Sequence, residues 1–393
     1  MAEKRIIEIG ALSTEDILRD LGGKRDAAES GTENGAFFAW KGDTGGAEEK
    51  GNGDLQETSK ADAGEKQSIY DLLEEEIMGS DMPDSEKTKK LSRLLKIRGK
   101  KVNIMLTGAT GAGKSSTINA LFNMEVAKVG VGVDPETDCI SKFELDNLII
   151  WDTPGLGDGV EKDERITRDI VRKLNELDED CNLLIDVVVV ILDASTKDLG
   201  TSYDLINKVL IPCFGEEDAK KRILIALNQS DMAMKGNHWN TEQNEPDEVL
   251  REFLKKKAES VRKRIQEGTG LDMKPICYCA GYQEEGGEQR KPYNLTKLLY
   301  FIVKAIPKEK RLALADNINE NKDNWLYGDD ESDYRDGTEN GFCETVWDYI
   351  SDGAETGSDI GGEILGIPGK IVGGVVGGIV GAVKGFVSAA FGI

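Results

Sequence analysis

The sequence predicts an α/β fold with a doubly wound, mostly parallel sheet over residues 100–308. Short apolar segments of strand type alternate there with longer helical segments, and this order is typical of parallel sheets. Glycine-rich or polar runs follow several of the strands. Because ligands of open α/β sheets bind at the carboxyl ends of the strands, we expect a ligand site at that edge.

The strands are identified from their apolar content and from the turns between them. Asp146-Asn147 lies between the second and third strands and is a two-residue hairpin signal, so these strands are expected to be antiparallel. Apolar residues at helical spacing, among them Leu250, Leu254 and Val261, predict one long helix. The predicted strands are 102–106, 140–145, 148–151, 186–192, 222–227 and 276–279.

The rest of the chain divides by composition. Residues 1–65 are rich in Gly, Asp, Glu, Lys and Ala and predict a mostly disordered acidic region. Residues 66–99 predict a helical lead-in, broken near 79–83, with a basic stretch. Residues 309–358 are acidic, and both a linker and a small helical region fit them. Residues 359–393 form a glycine-rich hydrophobic tail with helical character.

The net charge of −23 argues against attraction of the whole protein to nucleic acid or anionic lipid. Residues 87–101 contrast with this, because they hold eight Lys or Arg residues and no acid. Contact with RNA, a ribosome or a phospholipid head group is one interpretation of this stretch, and a solvated helix face is the other. The six scattered cysteines lack metal spacing, which indicates reduced thiols and a cytoplasmic location.

The run GATGAGKS fits the motif GxxxxGK[ST], and it follows a strand and precedes a helix as that motif requires. Glycines let backbone N–H groups converge on phosphates, and a helix N-terminus adds positive potential. Lys114 is expected to bridge the β- and γ-phosphates, and Ser115 to bind Mg²⁺. The predicted phosphate-binding residues are Gly108, Ala109, Thr110, Gly111, Ala112, Gly113, Lys114, Ser115 and Ser116.

A second group of predicted site residues concerns the metal and the third phosphate. Asp152 follows a buried strand and is expected to hold Mg²⁺ through a water molecule. Gly155, in the run DTPG, is expected to offer its backbone N–H to the γ-phosphate. Thr137 lies between the first helix and the second strand, where its hydroxyl would complete the Mg²⁺ shell. Lys114, Thr137 and Gly155 are therefore the predicted catalytic residues.

The run NQSD at 228–231 follows a strand and predicts recognition of guanine. The Asp231 carboxylate complements guanine N1–H and the 2-amino group, a donor pair that adenine lacks. Asn228 is expected to tie this loop to the phosphate loop, and Gln229 to pack along the base plane. A backbone N–H of the segment Cys279-Ala280-Gly281 is expected to meet guanine O6. GTP and GDP are the predicted ligands.

These motifs resemble the Era/TrmE-like group of P-loop GTPases, and more closely a bacterial, often prophage-borne family with a 50S-ribosome-binding-type GTPase domain. The resemblance covers about residues 70–310 and rests on GATGAGKSSTINALF, AKVGVGVDPET, IIWDTPGLGDG and NQSDMAMKGNHW. It implies a P-loop NTPase fold with a small-GTPase-like G domain at 100–308. It also implies a cytoplasmic GTP-binding protein that hydrolyses GTP with Mg²⁺.

Two departures from related enzymes concern hydrolysis. Leu156 stands where Ras-like enzymes carry the Gln that orients the attacking water, so hydrolysis is expected to be slow without help. Gly111 stands where Era/TrmE relatives often carry an Asn that holds an activating potassium ion. A homodimer across the nucleotide face, or a partner protein, would supply the missing group.

Glycines recur every four residues in the tail, at 369, 373, 377, 381 and 385. Small-xxx-small rows permit close helix packing and are typical of membrane helices. Three interpretations compete: a tail at residues 360–393 that inserts into or lies on a membrane, a self-association zipper, and a helix docked on the chain's own G domain. The first would place the protein peripherally at the inner face of the cell membrane.

Three functions therefore stand open at this point. The first is a Mg²⁺-dependent GTP switch that docks on RNA or an assembly factor through residues 87–101. The second is a membrane-associated GTPase of defence or remodelling type, anchored by the tail. The third is a GTP-bound scaffold with negligible turnover.

Overall fold

The computed structural model describes residues 67–122, 139–197, 199–281, 290–350 and 374–391. The predictions for residues 1–65, for Thr137 and for the tail before residue 374 lie outside the described residues. From Ser68 onward the chain forms one unit.

A six-stranded sheet lies at the centre, in the order β2-β3-β1-β4-β5-β8. Only β2, at the edge, runs antiparallel to its neighbour in this sheet. A separate two-stranded hairpin, β6–β7, was not predicted. The strands are β1 Val102–Gly108, β2 Ser141–Leu145, β3 Leu148–Asp152, β4 Val187–Asp193, β5 Ile223–Asn228, β6 Trp239–Asn240, β7 Glu245–Pro246 and β8 Ile276–Cys277. The predicted mostly parallel sheet is confirmed.

The helices cover both faces of this sheet, as a doubly wound fold requires. They are α1 Ile69–Gly79, α2 Asp84–Arg98, α3 Lys114–Leu121, α4 Val160–Leu174, α5 Gly200–Asp204, α6 Ile211–Phe214, α7 Glu216–Arg222, α8 Glu248–Thr269, α9 Leu295–Ala305, α10 Arg311–Ala315, α11 Tyr334–Ile350 and α12 Gly374–Phe391. A π-helical segment, Leu205–Leu210, joins α5 to α6.

Side chains alternate across β1, so its apolar residues divide between two buried layers. Ile104 and Leu106 belong to the layer formed with α1, α3, α9 and α11. Met105 belongs to the opposite layer, formed with α4 and α8. Both faces of β1 and β4 are covered, so β1 is buried along its whole length and β4 is buried up to Leu192, whereas the edge strand β2 alternates in exposure.

The acidic region after residue 309 contributes to the core of the sheet domain. Leu312, Trp325 and Phe342 are almost fully buried in the same layer as β1. Lys310 Nζ lies 2.8 Å from Asp186 Oδ1, and both side chains are buried. The described part of residues 309–350 contains the helices α10 and α11, and α10 contacts β1.

The tail helix α12 also docks on the chain itself. Val383, Val387 and Phe391 are buried against α1 and α11. The two glycines Gly381 and Gly385 face outward, and a Cβ atom at either position would meet nothing within 4 Å. These glycines therefore do not form the packing surface. Within the described ranges, no helix is long and apolar enough to cross a membrane.

Several cations of the basic stretch 87–101 form ion pairs within the chain. Arg98 lies 2.6 Å from Asp71, and Lys100 lies 2.9 Å from Asp180. Lys101 lies 2.6 Å from Glu144. The charge that this stretch presents to solvent is therefore smaller than its composition suggests.

Candidate nucleotide-binding site

The phosphate loop runs from the end of β1 to the first turn of α3. Gly113 precedes the helix with a φ of 89°, which favours glycine. A Cβ atom on Gly113 would also clash with the Asn228 side-chain amide, which is hydrogen-bonded to Ala112, so a larger residue would disturb that hydrogen bond. The first amides of α3 have no intrahelical acceptor and are available to an anion.

Lys114 lies over the phosphate loop. Its Nζ atom is 3.4 Å from the carbonyl oxygen of Gly108 and 3.3 Å from that of Ala109. Burial lowers the pKa of Lys114, with the Asp152 carboxylate opposing this shift. A desolvated ammonium group gains from an anionic ligand, and phosphate fits that requirement.

The pair Ser115 and Asp152 forms the second part of the site. Ser115 Oγ donates to Asp152 Oδ2 at 3.3 Å. Asp152 is 4% exposed, and its Oδ1 atom has no hydrogen-bond partner among the described residues. Burial raises the pKa of this carboxyl group, although the nearby Lys114 opposes the rise. A divalent cation would satisfy this orphaned oxygen.

The donor set also fits Mg²⁺. No group of three or more His, Cys, Asp or Glu side chains within the described ranges could hold a metal by itself. Mg²⁺ commonly binds through one or two protein ligands together with phosphate oxygens and water. Ser115 and Asp152 suit such a site, while Thr137 lies outside the described residues.

The segment after Asp152 packs directly on the phosphate loop. Leu156 N donates to Gly108 O at 3.2 Å, and Thr110 N donates to Leu156 O at 3.1 Å. A Cβ atom on Gly155 would lie 2.4 Å from Thr110 Cα, so this contact requires glycine. The Thr110 amide thus has a partner within the protein, which differs from its predicted phosphate contact. Leu156 is 3% exposed and offers no side-chain polar group to water.

Asn228 joins three loops. Its Nδ2 atom donates to the carbonyl of Ala112 in the phosphate loop at 2.9 Å. Its Oδ1 atom accepts from the amide of Ala280, after β8, at 3.0 Å. The structure therefore contains the tether between NQSD and the phosphate loop that the sequence predicts.

Gln229 forms a second bond to the phosphate loop. Its backbone has a φ of 59°, and its Nε2 atom donates to Gly111 O at 2.7 Å. The Gln229 side chain therefore contacts the phosphate loop, whereas the sequence predicts that it packs along the base plane.

Asp231 lies in a cavity of about 270 Å³ whose lining includes Gly113 and Gln229. Its Oδ1 atom accepts from Cys279 Sγ at 3.0 Å. Burial and the Asp231 charge raise the pKa of the Cys279 thiol well above its usual value, so the thiol remains protonated and can donate. Asp231 Oδ2 has no hydrogen-bond partner in the described part of the chain, although Arg290 Nη1 lies 3.6 Å away.

Within the segment Cys279-Ala280-Gly281, which is predicted to meet guanine O6, two of the three backbone amides already have oxygen acceptors in the protein. Cys279 N donates to Tyr293 O at 2.9 Å, and the Ala280 amide is bound to Asn228. The amide of Gly281 donates to Cys279 Sγ at 3.4 Å, and because sulfur is a weak acceptor this amide is the better candidate of the three. Arg290 was missed because no motif links it to Asp231 in the sequence.

Residues 103–229 match the family model described as 50S ribosome-binding GTPase. No curated relative matches the chain. Together with the sheet order and the phosphate loop, this match defines the described domain as a P-loop GTPase G domain.

Three solved structures are similar to parts of the chain. Toc33 from Arabidopsis thaliana in complex with Mg²⁺ and GMPPNP is 16% identical, with 62% of this chain and 98% of that chain covered and a TM-score of 0.36. The probable GTP-binding protein engB is 20% identical, with coverages of 52% and 98% and a TM-score of 0.32. The bacterial dynamin GTPase LeoA from ETEC is 16% identical, with coverages of 76% and 46% and a TM-score of 0.34.

Proposed function

We propose that the protein is a Mg²⁺-dependent GTP-binding switch of the Era/TrmE-like type that slowly hydrolyses GTP to GDP and phosphate. The observation that carries this proposal is the Asp231 carboxylate. It is 2% exposed, it lines a cavity next to the phosphate loop, and one of its oxygens lacks a hydrogen-bond partner among the described residues. Buried polar atoms normally have partners, and guanine N1–H and N2–H supply two donors.

The phosphate and metal roles in this proposal are those that the sequence predicts, and the positions of Lys114, Ser115 and Asp152 support them. Lys114 and the first amides of α3 hold the phosphates. Ser115 and Thr137 bind Mg²⁺ directly, and Asp152 acts through a water molecule. Gly155 lies against the phosphate loop, so a γ-phosphate that meets its amide would move this segment and change the state of the switch.

Slow hydrolysis is part of this proposal because two positions that assist hydrolysis in related enzymes carry no polar side chain here. Leu156 cannot orient water, and Gly111 has no side chain to hold a potassium ion. A group from a second copy across the nucleotide face, or from a partner protein, completes the catalytic site in this proposal. Turnover is then expected to rise with protein concentration if the second copy supplies it.

The test is competition for labelled GDP by GTP, ATP and XTP, with Mg²⁺ present and with bound nucleotide first removed. We expect GTP to compete at least 100-fold better than ATP, because a site that pairs polar groups with its ligand rejects analogues that leave them unpaired. Asp231→Asn should shift the preference towards XTP. The control is Asp193→Asn, which changes a half-buried carboxylate at the end of β4. Equal competition by ATP and GTP would refute guanine recognition.

A further inference from the structure

The carboxyl end of the phosphate helix α3 is held by residues that lie about 200 positions later in the chain. Asn319 N donates to Leu121 O at 2.9 Å, and Asn319 Nδ2 donates to Asn119 O at 2.7 Å. Asn324 Nδ2 donates to Ala120 O at 3.0 Å. The last carbonyls of a helix have no partner within it, and here the two asparagines supply three of the donors.

These asparagines are themselves held by the carboxyl-terminal elements. Trp325 is 1% exposed, and its Nε1 atom donates to Asn319 O at 2.8 Å. The Trp325 ring meets the ring of Phe391, on the tail helix α12, edge-on at 5.4 Å. Ser388 Oγ on the same helix donates to Glu339 Oε1 on α11 at 2.8 Å. A continuous series of contacts therefore runs from the tail to the phosphate helix.

The opposite end of α3 carries Lys114 and Ser115. The helix has eight residues, or about two turns, and an isolated helix of this length is not stable in water. Because fraying at one end reaches the other within two turns, the hydrogen bonds at the carboxyl end help to fix the amides that receive the phosphates.

We propose that Asn319 and Asn324 are positioning residues of the nucleotide site, and that the docked tail helix holds them in place. Tail docking and nucleotide binding then stabilise each other, because coupling between two sites is reciprocal. This inference rests on the proposed function of the site, and it adds an intramolecular control of nucleotide affinity by α12.

The first test is Asn324→Asp, which keeps the shape of the side chain but turns a carboxylate towards Ala120 O at the negative end of the helix dipole. We expect the dissociation constant of labelled GDP to rise about tenfold. Asn321→Asp is the matched control, because Asn321 is exposed and its side chain accepts from Asp323 N, which aspartate also does. The GDP affinity of the Asn321→Asp variant should stay within about twofold of the wild-type value.

The second test is Phe391→Ala, which removes the ring against Trp325 without touching the nucleotide site. We expect GDP affinity to fall about fivefold, and GDP to slow hydrogen exchange of the amides of residues 381–391 in the wild type by a similar factor. Val261→Ala is the control for stability alone, because Val261 is buried on the other face of the sheet. It should lower the unfolding temperature and leave GDP affinity unchanged.

Two results would overturn the coupling. One is unchanged GDP affinity in folded Asn324→Asp and Phe391→Ala proteins. The other is an equal loss of GDP affinity in the Val261→Ala variant, which would show that the effect comes from lower overall stability. Failure of the wild type to bind GDP is a separate outcome, and it would refute the proposed function itself.

Discussion

At the scale of the residue, two carboxylates are buried without a full set of partners. Asp152 and Asp231 each have one side-chain oxygen that no described group hydrogen-bonds. A buried carboxylate oxygen without a hydrogen bond lowers the stability of the nucleotide-free protein, although Arg290 lies at ion-pair distance from Asp231. A ligand that donates hydrogen bonds to these oxygens therefore gains affinity. In the proposed function, Mg²⁺ with its water satisfies the first and guanine the second.

Asp152→Asn should have opposite effects on binding and on stability. Burial raises the pKa of Asp152 above its value in the unfolded chain, so the ionised group lowers stability at neutral pH, and this penalty disappears as the pH falls through the folded pKa. We expect the variant to lose about tenfold or more of Mg²⁺-supported GTP affinity while the nucleotide-free protein gains about 1 kcal/mol. Nucleotide titration with and without Mg²⁺, together with urea unfolding, measures both effects.

The control is Asp169→Asn on the surface of α4, which should change neither quantity. A variant of Asp152 that bound GTP normally in Mg²⁺ would argue against the metal role. One that lost stability would show that the buried carboxylate is satisfied in the folded protein.

The site residues found from the sequence are those with strong local motifs. GxxxxGK[ST], DTPG and NQSD each follow a strand, and strand ends are easily placed in a parallel sheet. Arg290, Asn319 and Asn324 reach the site or its helix through tertiary contacts alone. Nothing adjacent in the sequence identifies them, because asparagines and arginines are common in surface loops.

At the scale of the element, the tail helix shows why a glycine pattern is ambiguous. A row of glycines at four-residue spacing marks one helix face, but the spacing does not say which face packs. Among the α12 residues whose side chains are described, Val383, Val387 and Phe391 are buried, whereas Gly381 and Gly385 face outward. The central strands β1 and β4 had no such ambiguity, because both of their faces are buried.

Gly381→Ala and Gly385→Ala should therefore each stabilise the protein by about 0.5–1 kcal/mol, since a helical glycine with open space beside it loses only its conformational entropy cost on substitution. Urea unfolding of the full chain measures the effect. Val383→Ala is the matched contrast on the buried face, and it should destabilise by about 1–3 kcal/mol. Destabilisation by both alanines would show instead that the glycine row packs closely against another helix.

At the scale of the whole molecule, the acidic carboxyl-terminal region is part of the G domain core. Its overall polarity concealed this from the sequence, because its buried residues Leu312, Trp325 and Phe342 are widely spaced among charges. The buried pair of Lys310 and Asp186 adds a polar connection between this region and the sheet. Asp186 Oδ2 also accepts from Asn103 N on β1 at 2.9 Å.

Lys310→Met should lower the free energy of unfolding by about 3–5 kcal/mol, because it leaves Asp186 buried without its cation. Adding Asp186→Asn to this variant should recover much of the lost free energy of unfolding. Lys308→Met is the control: Lys308 pairs with Asp348 at 2.6 Å, but both side chains are largely exposed. We expect Lys308→Met to lower the free energy of unfolding by less than about 1 kcal/mol. Equal effects of the two lysine variants in urea unfolding would contradict the buried position of Lys310.

Because Asn319 and Asn324 anchor α3, they also limit where the chain can be truncated. A fragment that ends near residue 308 keeps every nucleotide motif but loses the donors for Asn119, Ala120 and Leu121. Such a fragment also exposes to solvent the apolar surface that Trp325 and Phe342 cover. Exposed patches of that kind favour aggregation, so the motif-bearing segment alone is a poor choice for expression. A piece suited to biochemical work therefore extends at least from Ser68, whose side chain caps α1, to the end of α12.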